Sequence, residues 1–451
     1  MTSRLISSSP VMTNKKHKAA IYWFRQDLRI DDNPTLIKAC ANVQTMVFVY
    51  CHPPQKITRW GFQSNSPHRR HFIDTALANL RKTLVSLGSD LLEIDMSAAE
   101  ALPGLASELQ TTAIYCEDIA APEEQDEVAA LRVSGLDVSA RWQSSLLSPA
   151  DLPFKPSQLP EVFTQFRTTI EKAGVLPLAP CAAPASIPPL PAQFSEIVSR
   201  WHKPVMPCPT RPKDQRSSFP YFDEQFSGAA SAAKAHLDQY LARKLAHTYK
   251  QTRNQLTGVD YSTKFSPWLA CGAISARQIY HALKEFETEY GANDSSYWIW
   301  FELLWRDYFR LLHLQYGRRL YTASGLSTLP APLHDTVRFT NWCQAQTGEA
   351  LVDAGMAELA ATGYLSNRLR QIVASYLIYD LDCDWRAGAA WFEAQLVDYD
   401  VYSNQGNWLY IAGRGTDPRN GRRFNVQKQV HDYDRDGTYR QLWLTDLPTM
   451  K

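Results

Sequence analysis

Proline is distributed unevenly along this 451-residue chain, because 15 of its 27 prolines lie between Pro149 and Pro220. Proline lacks a backbone N–H and has a fixed φ, so such a density suits neither a helix interior nor a central strand. We therefore predict a long connector over residues 149–219 between two folded units. It separates an N-terminal domain at 19–148 from a C-terminal domain at 220–451, and residues 1–18 are predicted to be a disordered terminus.

The N-terminal domain shows short β-rich apolar runs that alternate with helical periodicity. The predicted strands are "AAIYWF", "TMVFVYC", "DLLEI", "AIYCE" and "VSARW", and the clearest helix is "PHRRHFIDTALANLRKTLVSLG". This alternation is typical of a doubly wound α/β fold with a parallel sheet. The first strand runs into "RQDLRIDDNP", which contains no glycine. The glycine-rich phosphate loop of a dinucleotide fold is therefore missing, and NAD binding is disfavoured.

The C-terminal domain shows 3.6-residue periodicity in most of its length. Its clearest helical segments are "SAAKAHLDQYLARKLAHTYK", "SSYWIWFELLWRDYFRLLHLQY", "LVDAGMAELAATG" and "SNRLRQIVASYLIYDL". We therefore predict an all-α domain after the connector, and an α/β plus all-α chain overall.

Composition excludes several classes of protein. The chain is 45% hydrophobic and 21% charged, which excludes a disordered or fibrous protein. Its net charge is only +1, so a nucleic acid would have to bind to a local basic patch. The eight cysteines contain no C-x-x-C pair, so no metal site and no disulfide framework is predicted. We expect a cytoplasmic monomer. Residues 1–18 lack an apolar run that could serve as a secretory signal or membrane span, while a weak organelle-targeting segment stays open.

Polar side chains form stripes on two of the predicted helices. The first stripe consists of Asn367, Arg370, Gln371 and Ala374, and the second of Glu302, Trp305, Arg306 and Phe309. Charged groups amid apolar surface are costly to bury unless they are paired or bound to a polar partner. Together with "DYDVYSNQGNW" at 398–408, the stripes predict a pocket for a large ligand with polar and aromatic parts. A solvated face is the alternative for the first stripe.

A third segment predicts an anion site. Ser262, Thr263, Lys264 and Ser266 precede Pro267, which is suited to the first turn of a helix. Hydroxyl groups, an ammonium and free N–H groups at a helix start attract anions. A simple helix N-cap is the alternative.

These segments resemble the photolyase and cryptochrome family, and its DASH branch in particular. The resemblance rests on "WFRQDLRIDDNP", "DLPF", "LPEVFTQFR", "RNQLTGVDYSTKFSPWLACGAIS", "FELLWRDYFR", "ATGYLSNRLRQIVASYLIYDLDCDWRAG" and "DYDVYSNQGNW". It extends over essentially the whole chain. The resemblance implies an α/β antenna domain and a helical domain that binds FAD, with methenyltetrahydrofolate as a candidate antenna pigment. The segment "CEDIAAPEE" that would contact this pigment has Ile119 where DASH relatives have a glutamate, and another alignment would use Glu117 instead.

The resemblance also implies roles for individual residues. The residues that would hold FAD are Tyr249, Ser262, Thr263, Lys264, Phe265, Ser266, Arg306, Asn367, Arg370, Asp380, Asp398, Asp400 and Asn404. Asn404 would face flavin N5, where a neutral carboxamide can bond without imposing a charge. Arg370 would pair with Asp380.

The implied reaction is light-driven electron transfer from the flavin to a cyclobutane pyrimidine dimer flipped out of DNA. The residues that would contact the dimer are Glu302, Trp305, Asn367, Gln371, Asn407 and Tyr410. Duplex-repairing relatives have methionine and tryptophan where this chain has Gln371 and Tyr410, so weaker stacking favours single-stranded or looped DNA. Arg414, Arg419, Arg422 and Arg423 either meet DNA phosphates or form a solvated face. A light-sensing protein without repair activity is the alternative function.

Reduction of the flavin by light would use tryptophans. By resemblance, Trp408 and Trp385 match the first two members of a three-tryptophan chain, whereas the third position holds Pro332. Either another aromatic residue ends this chain or reduction by light is impaired.

Overall fold

The computed structural model describes residues 16–202, 213–417 and 421–445. Most of the terminus predicted to be disordered lies outside the described residues, and the first strand already begins at His17. The domain limits stay predictions.

The N-terminal half is a five-stranded parallel sheet covered by helices. Its elements are β1 (His17–Phe24), α1 (Pro34–Asn42), β2 (Val43–Cys51), α2 (Pro67–Ser86), β3 (Leu91–Ile94), α3 (Ala98–Glu108), β4 (Ala113–Glu117), α4 (Pro122–Val133) and β5 (Asp137–Arg141). The strand order is β3-β2-β1-β4-β5, with Trp23 in register with Val49 on one side and Cys116 on the other. All five predicted strands and the doubly wound topology are confirmed.

The predicted connector contains two helices, so its expected lack of helix was wrong. They are α5 (Phe163–Ala173) and α6 (Phe194–Trp201). The physical reason is that the prolines are not spread evenly through the connector. Residues 161–176 and 192–203 contain no proline, and each helix lies within one of these two runs. Phe166 and Ile170 of α5 and Ile197 of α6 are fully buried, so burial of one apolar face stabilises each short helix.

Among the described residues after 213, every regular element is a helix, as predicted. The α-helices are α7 (Ala230–Ala242), α8 (Tyr249–Thr252), α9 (Ser266–Cys271), α10 (Ala276–Tyr290), α11 (Asp294–Tyr316), α12 (Thr336–Cys343), α13 (Ala350–Thr362), α14 (Asn367–Tyr379), α15 (Trp385–Gln395), α16 (Val401–Ile411), α17 (Val426–Tyr433) and α18 (Thr438–Leu444). In the part of the chain that the structure describes, none of these helices has the length and apolarity needed to cross a bilayer.

Buried polar contacts join the two halves. Arg277 of α10 forms an ion pair with Asp32 at 2.9 Å, and the carboxylate of Asp307 on α11 accepts the backbone N–H groups of Leu146 and Leu147 at 2.7 Å each. Gly272 has φ +76°, and a Cβ there would lie 1.9 Å from the carbonyl oxygen of Gln26. Only glycine permits both this backbone conformation and this close approach, so the end of α9 packs directly against the loop that follows β1.

Candidate functional site

Three adjoining cavities lie between α11, α14, α16 and the loop before α9. One of them opens to solvent and, together with that open space, contains about 1220 Å³ not occupied by protein atoms. Asn367, at the start of α14, lines all three. Both polar stripes predicted from the sequence face this space. In the first stripe Asn367 is exposed and Arg370 and Gln371 are half-buried, so this stripe lines a cavity that is open to solvent.

The structure brings most of the predicted site residues to these cavities. They are Tyr249, Ser262, Thr263, Lys264, Phe265, Ser266, Glu302, Trp305, Arg306, Asn367, Arg370, Gln371, Asp398, Asp400, Asn404, Asn407, Trp408 and Tyr410. Two predicted residues lie elsewhere: Trp385 is buried at the start of α15, and Asp380 lines a separate cavity beside Arg423.

Arg370 pairs with Asp398, and the predicted pair between Arg370 and Asp380 is wrong. The guanidinium donates to both carboxylate oxygens of Asp398, at 2.8 and 3.0 Å, and the hydroxyl of Ser266 donates to the same carboxylate at 2.7 Å. Asp380 lies ten residues after Arg370, about 15 Å along a helix axis, and pairs instead with Arg423 at 2.8 Å. The Asp398 side chain is therefore fixed at the cavity wall from both sides.

Asp400 begins α16 and binds two arginines of α11. Its carboxylate accepts the backbone N–H of Ser403 at 2.8 Å and a guanidinium N–H of Arg310 at 3.0 Å, and Arg306 lies 3.7 Å away. Burial alone would raise the pKa of Asp400, but the two guanidinium groups and the N-cap bond outweigh burial and hold it below its usual value. Sequence reasoning missed Arg310, although its spacing of four residues from Arg306 placed it on the same face of the helix.

Lys264 presents a buried ammonium to the cavities. Its side chain is 2% exposed, and Nζ has no hydrogen-bond partner among the residues that the structure describes. Nζ lies 3.4 Å from the centroid of the Tyr261 ring, and burial lowers the pKa of Lys264 well below 10.5. An orphaned ammonium beside the hydroxyl groups of Ser262 and Thr263 has the chemistry of an anion subsite, so the donor set fits a cofactor that carries phosphates.

Asn404 and Trp408 lie on α16, one turn apart. The Asn404 amide donates to the carbonyl oxygen of Ala389 on α15 at 3.0 Å, which fixes the carboxamide at the cavity wall. The Trp408 ring packs against α15 where Gly388 leaves room, because a Cβ on this glycine would lie 2.2 Å from the ring. Trp385, one turn before Gly388, is buried, and its indole N–H donates to the carbonyl oxygen of Ala323 at 3.2 Å.

The residues expected to contact DNA form the outer part of the site. Glu302 forms an ion pair with Arg253, which sequence reasoning did not identify. One face of the Trp305 ring stacks on Phe163 of α5, with centroids 3.7 Å apart and an 11° interplanar angle, and Tyr410 meets Trp305 edge-on at 5.6 Å. The sequence patterns did not identify Phe163 as a site residue, because it belongs to the connector.

The remaining sequence expectations have mixed outcomes. Arg414 is only 8% exposed and donates to the carbonyl oxygen of Pro330 at 2.8 Å, so the expectation that it meets DNA phosphates or solvent is wrong; Arg419 lies outside the described residues. Arg422 contacts Tyr410 and Asp417. Ile119 and Glu117, the two positions that could align with the antenna-site glutamate of DASH relatives, are both 1% exposed. Within residues 16–202, 213–417 and 421–445, no three His, Cys, Asp or Glu side chains cluster as metal ligands would.

Comparisons with known proteins agree with this geometry. The family model "FAD binding domain of DNA photolyase" matches residues 298–451, and the model "DNA photolyase" matches residues 20–186. Cryptochrome DASH from Gloeobacter violaceus is 42% identical over 438 residues, which cover 95% of this chain and 86% of that protein.

Two solved structures extend the likeness to the fold. The cryptochrome from Synechocystis sp. PCC6803 has 37% identity and a TM-score of 0.85, covering 97% of this chain and 91% of that one. A bacterial class III photolyase from Agrobacterium tumefaciens has 26% identity and a TM-score of 0.75, covering 98% and 90%. The chain therefore belongs to the photolyase and cryptochrome family, in its cryptochrome DASH branch.

Proposed function

We propose that this protein binds FAD and uses blue light to repair cyclobutane pyrimidine dimers in single-stranded or looped DNA, acting as a monomer inside the cell. FAD, when bound, supplies one-electron chemistry driven by light. The chain itself holds the cofactor, receives the flipped dimer and keeps water from the space between them. The observation that carries the proposal is the continuity of the three cavities, because Asn367 and Gln371 line both the inner part and the part beside Trp305.

The inner residues support FAD binding. The Lys264 ammonium would bind the diphosphate together with Ser262 and Thr263, which gives this buried charge the anionic partner it lacks. Asp398 and Asp400 would receive the sugar and flavin side, each bound by arginine. Asn404 would lie beside flavin N5, where its neutral amide can bond without adding charge.

The outer residues support binding of a pyrimidine dimer. Phe163 holds the Trp305 ring on one face, so the other side can act as a rigid stacking surface toward the cavity. Glu302 would accept N–H groups on the polar edge of the bases, after exchanging part of its contact with Arg253.

The preference for single-stranded DNA follows from the free energy needed to extract the dimer from a duplex. Extracting a dimer from a duplex costs a few kcal/mol, and each lost aromatic stack forfeits roughly 1–3 kcal/mol per base. Gln371 replaces an apolar side chain by a polar one, and Tyr410 offers a smaller ring than tryptophan, held edge-on to Trp305. With less stacking energy, the site binds a dimer that is already unpaired better than one in a duplex.

The test follows dimer loss under blue light in matched single-stranded and duplex oligonucleotides, with chemically reduced protein. We expect repair mainly in the single strand. Glu302→Ala should weaken repair of both substrates, whereas the exposed control Glu285→Gln on α10 should leave it unchanged. Gln371→Met with Tyr410→Trp should improve duplex repair more than single-strand repair.

Two outcomes would count against the proposal. Equal rates on the two substrates would refute the preference for single strands. A flavin-loaded protein that repairs neither substrate would favour a light sensor.

A further inference from the structure

Pro332 stands where the three-tryptophan chain of relatives would end, and a tryptophan from the N-terminal half packs on the same segment. The Trp60 ring lies 4.8 Å from the ring of His334, two residues after Pro332, and 6.5 Å from the ring of Phe339. Trp60 is partly exposed to solvent. The redox-active indole of Trp60 therefore lies beside the segment where this chain has Pro332 instead of the third tryptophan.

Aromatic contacts connect Trp408 to Trp60 without interruption. The centroids of Trp408 and Trp342 are 6.5 Å apart, those of Trp342 and Phe339 6.1 Å, and those of Phe339 and Trp60 6.5 Å. Trp342 and Phe339 are buried, so the path runs through the protein interior from the cavity wall to the surface. The start of α15 adjoins the same segment, because the Cys383 thiol donates to the carbonyl oxygen of Asp335 at 3.5 Å.

We propose that Trp60 is the terminal electron donor for light-driven reduction of the flavin, an inference that rests on the proposed function. Trp408 would supply one electron to the bound cofactor under light, Trp342 would refill Trp408 in the place that the resemblance gives to Trp385, and Trp60 would refill Trp342 across Phe339. One electron would thus leave Trp60 for each electron that Trp408 gives up. The oxidised Trp60 loses its indole N–H proton to water, and an external thiol then returns one hydrogen atom to the ring.

Arg59 favours this loss of a proton. Its guanidinium lies 4.6 Å from the centroid of the Trp60 ring. A neighbouring positive charge disfavours a cationic indole, so the oxidised ring becomes neutral by releasing its proton at the surface. Release of the proton then slows the return of the electron.

Trp391 provides a matched control, because it is also a partly exposed tryptophan linked to this cluster. Its ring lies 5.0 Å from Phe62, whose ring lies 6.3 Å from Phe339, so it is one aromatic contact further from the path than Trp60. The variants are Trp60→Phe and Trp391→Phe. Both are purified with FAD, their flavin content is measured, and they are illuminated without oxygen in the presence of dithiothreitol.

Three readouts separate the possible routes. Loss of the oxidised flavin band should slow by about tenfold in Trp60→Phe and stay close to the unaltered rate in Trp391→Phe. The neutral tryptophan radical seen by electron paramagnetic resonance should disappear only in Trp60→Phe. In the unaltered protein illuminated in air, peptide mass spectrometry should find oxidised Trp60, a result that holds even if the variant fails to fold.

Unchanged kinetics and radical signal in Trp60→Phe would overturn the inference, as would oxidation at Trp391 or Trp342 with none at Trp60. Repair by chemically reduced Trp60→Phe should match the unaltered protein, because this reaction needs no tryptophan chain. If neither the unaltered protein nor Trp60→Phe repairs dimers after chemical reduction, the proposed function is refuted. If Trp60→Phe is photoreduced slowly but repairs normally after chemical reduction, the result supports Trp60 as the donor.

Discussion

Replacing Lys264 by methionine should stabilise the apoprotein and weaken FAD binding at the same time. The ammonium is 2% exposed and lacks a hydrogen-bond partner among the described residues. Burying such a charge costs several kcal/mol, whereas its contact with the Tyr261 ring returns about 2 kcal/mol. The cost exceeds the return, so we expect the free energy of unfolding of the apoprotein to rise by about 1–3 kcal/mol in Lys264→Met.

FAD binding should change in the opposite direction. A charge-assisted hydrogen bond contributes about 1.5–3 kcal/mol, which corresponds to a loss of about 10- to 150-fold in affinity when the ammonium is removed. Urea unfolding of the apoprotein measures the first effect, and quenching of flavin fluorescence during titration measures the second. Lys284→Met, at an exposed position on α10, is the matched control and should change neither quantity by more than about 0.5 kcal/mol.

The pH dependence gives an independent check. Because burial lowers the pKa of Lys264 in the folded apoprotein, the unfolded chain binds more protons between that lowered pKa and 10.5. Lys264 should therefore contribute a rise with pH in the free energy of unfolding of the apoprotein across this window, and FAD affinity should fall, because the diphosphate prefers the protonated lysine. Both contributions should be absent in Lys264→Met. A variant apoprotein that is less stable and binds FAD with unchanged affinity would refute the role of Lys264 as an anion ligand.

Three further predictions concern the surrounding site. Burial raises the pKa of Glu358 to about 8, so ionisation of this carboxyl should contribute a loss of apoprotein stability as pH rises from 4.5 to 8, opposite in sign to the contribution of Lys264; Glu358→Gln should remove this contribution in urea unfolding at several pH values, and an unchanged pH profile would contradict it. A Cβ at Gly388 would lie 2.2 Å from the Trp408 ring, so Gly388→Ala should lower the free energy of unfolding by about 1–3 kcal/mol; an unchanged urea midpoint would contradict this packing. Arg370→Ala leaves the buried Asp398 carboxylate without its ion pair at a cost of about 3–5 kcal/mol, and the protein should be purified without flavin; full flavin occupancy would contradict the pairing.

Local patterns were sufficient to predict most of the fold and much of the site. Alternation and 3.6-residue periodicity are properties of neighbouring residues, so they identified all five strands and the faces of α11 and α14 that line the cavities. The helices of the connector were missed because proline density was averaged over 149–219, whereas a helix requires only a short proline-free run with one apolar face.

Pairings between distant segments could not be predicted in the same way. Arg253 reaches Glu302 from the C-terminal end of α8, and Phe163 reaches Trp305 from the connector. The wrong prediction that Arg370 pairs with Asp380 has the same origin. A family motif gives the order of residues along the chain, but it does not determine which charged side chains form ion pairs in the folded protein. Such pairs depend on how the helices pack against one another, and hydrophobic periodicity in the sequence carries no information about this packing.

The distribution of charge within the cavities orients the cofactor in our proposal. The carboxylates of Asp398 and Asp400 are each bound by arginine, so neither offers a free negative charge to repel a diphosphate. Lys264 supplies a positive charge without a carboxylate bound to it, and it lines a different one of the three cavities from the neutral amide of Asn404. A molecule with a charged diphosphate and a polar but neutral ring system therefore meets complementary groups in one direction only, with its phosphates at Lys264 and its ring at Asn404 and Trp408.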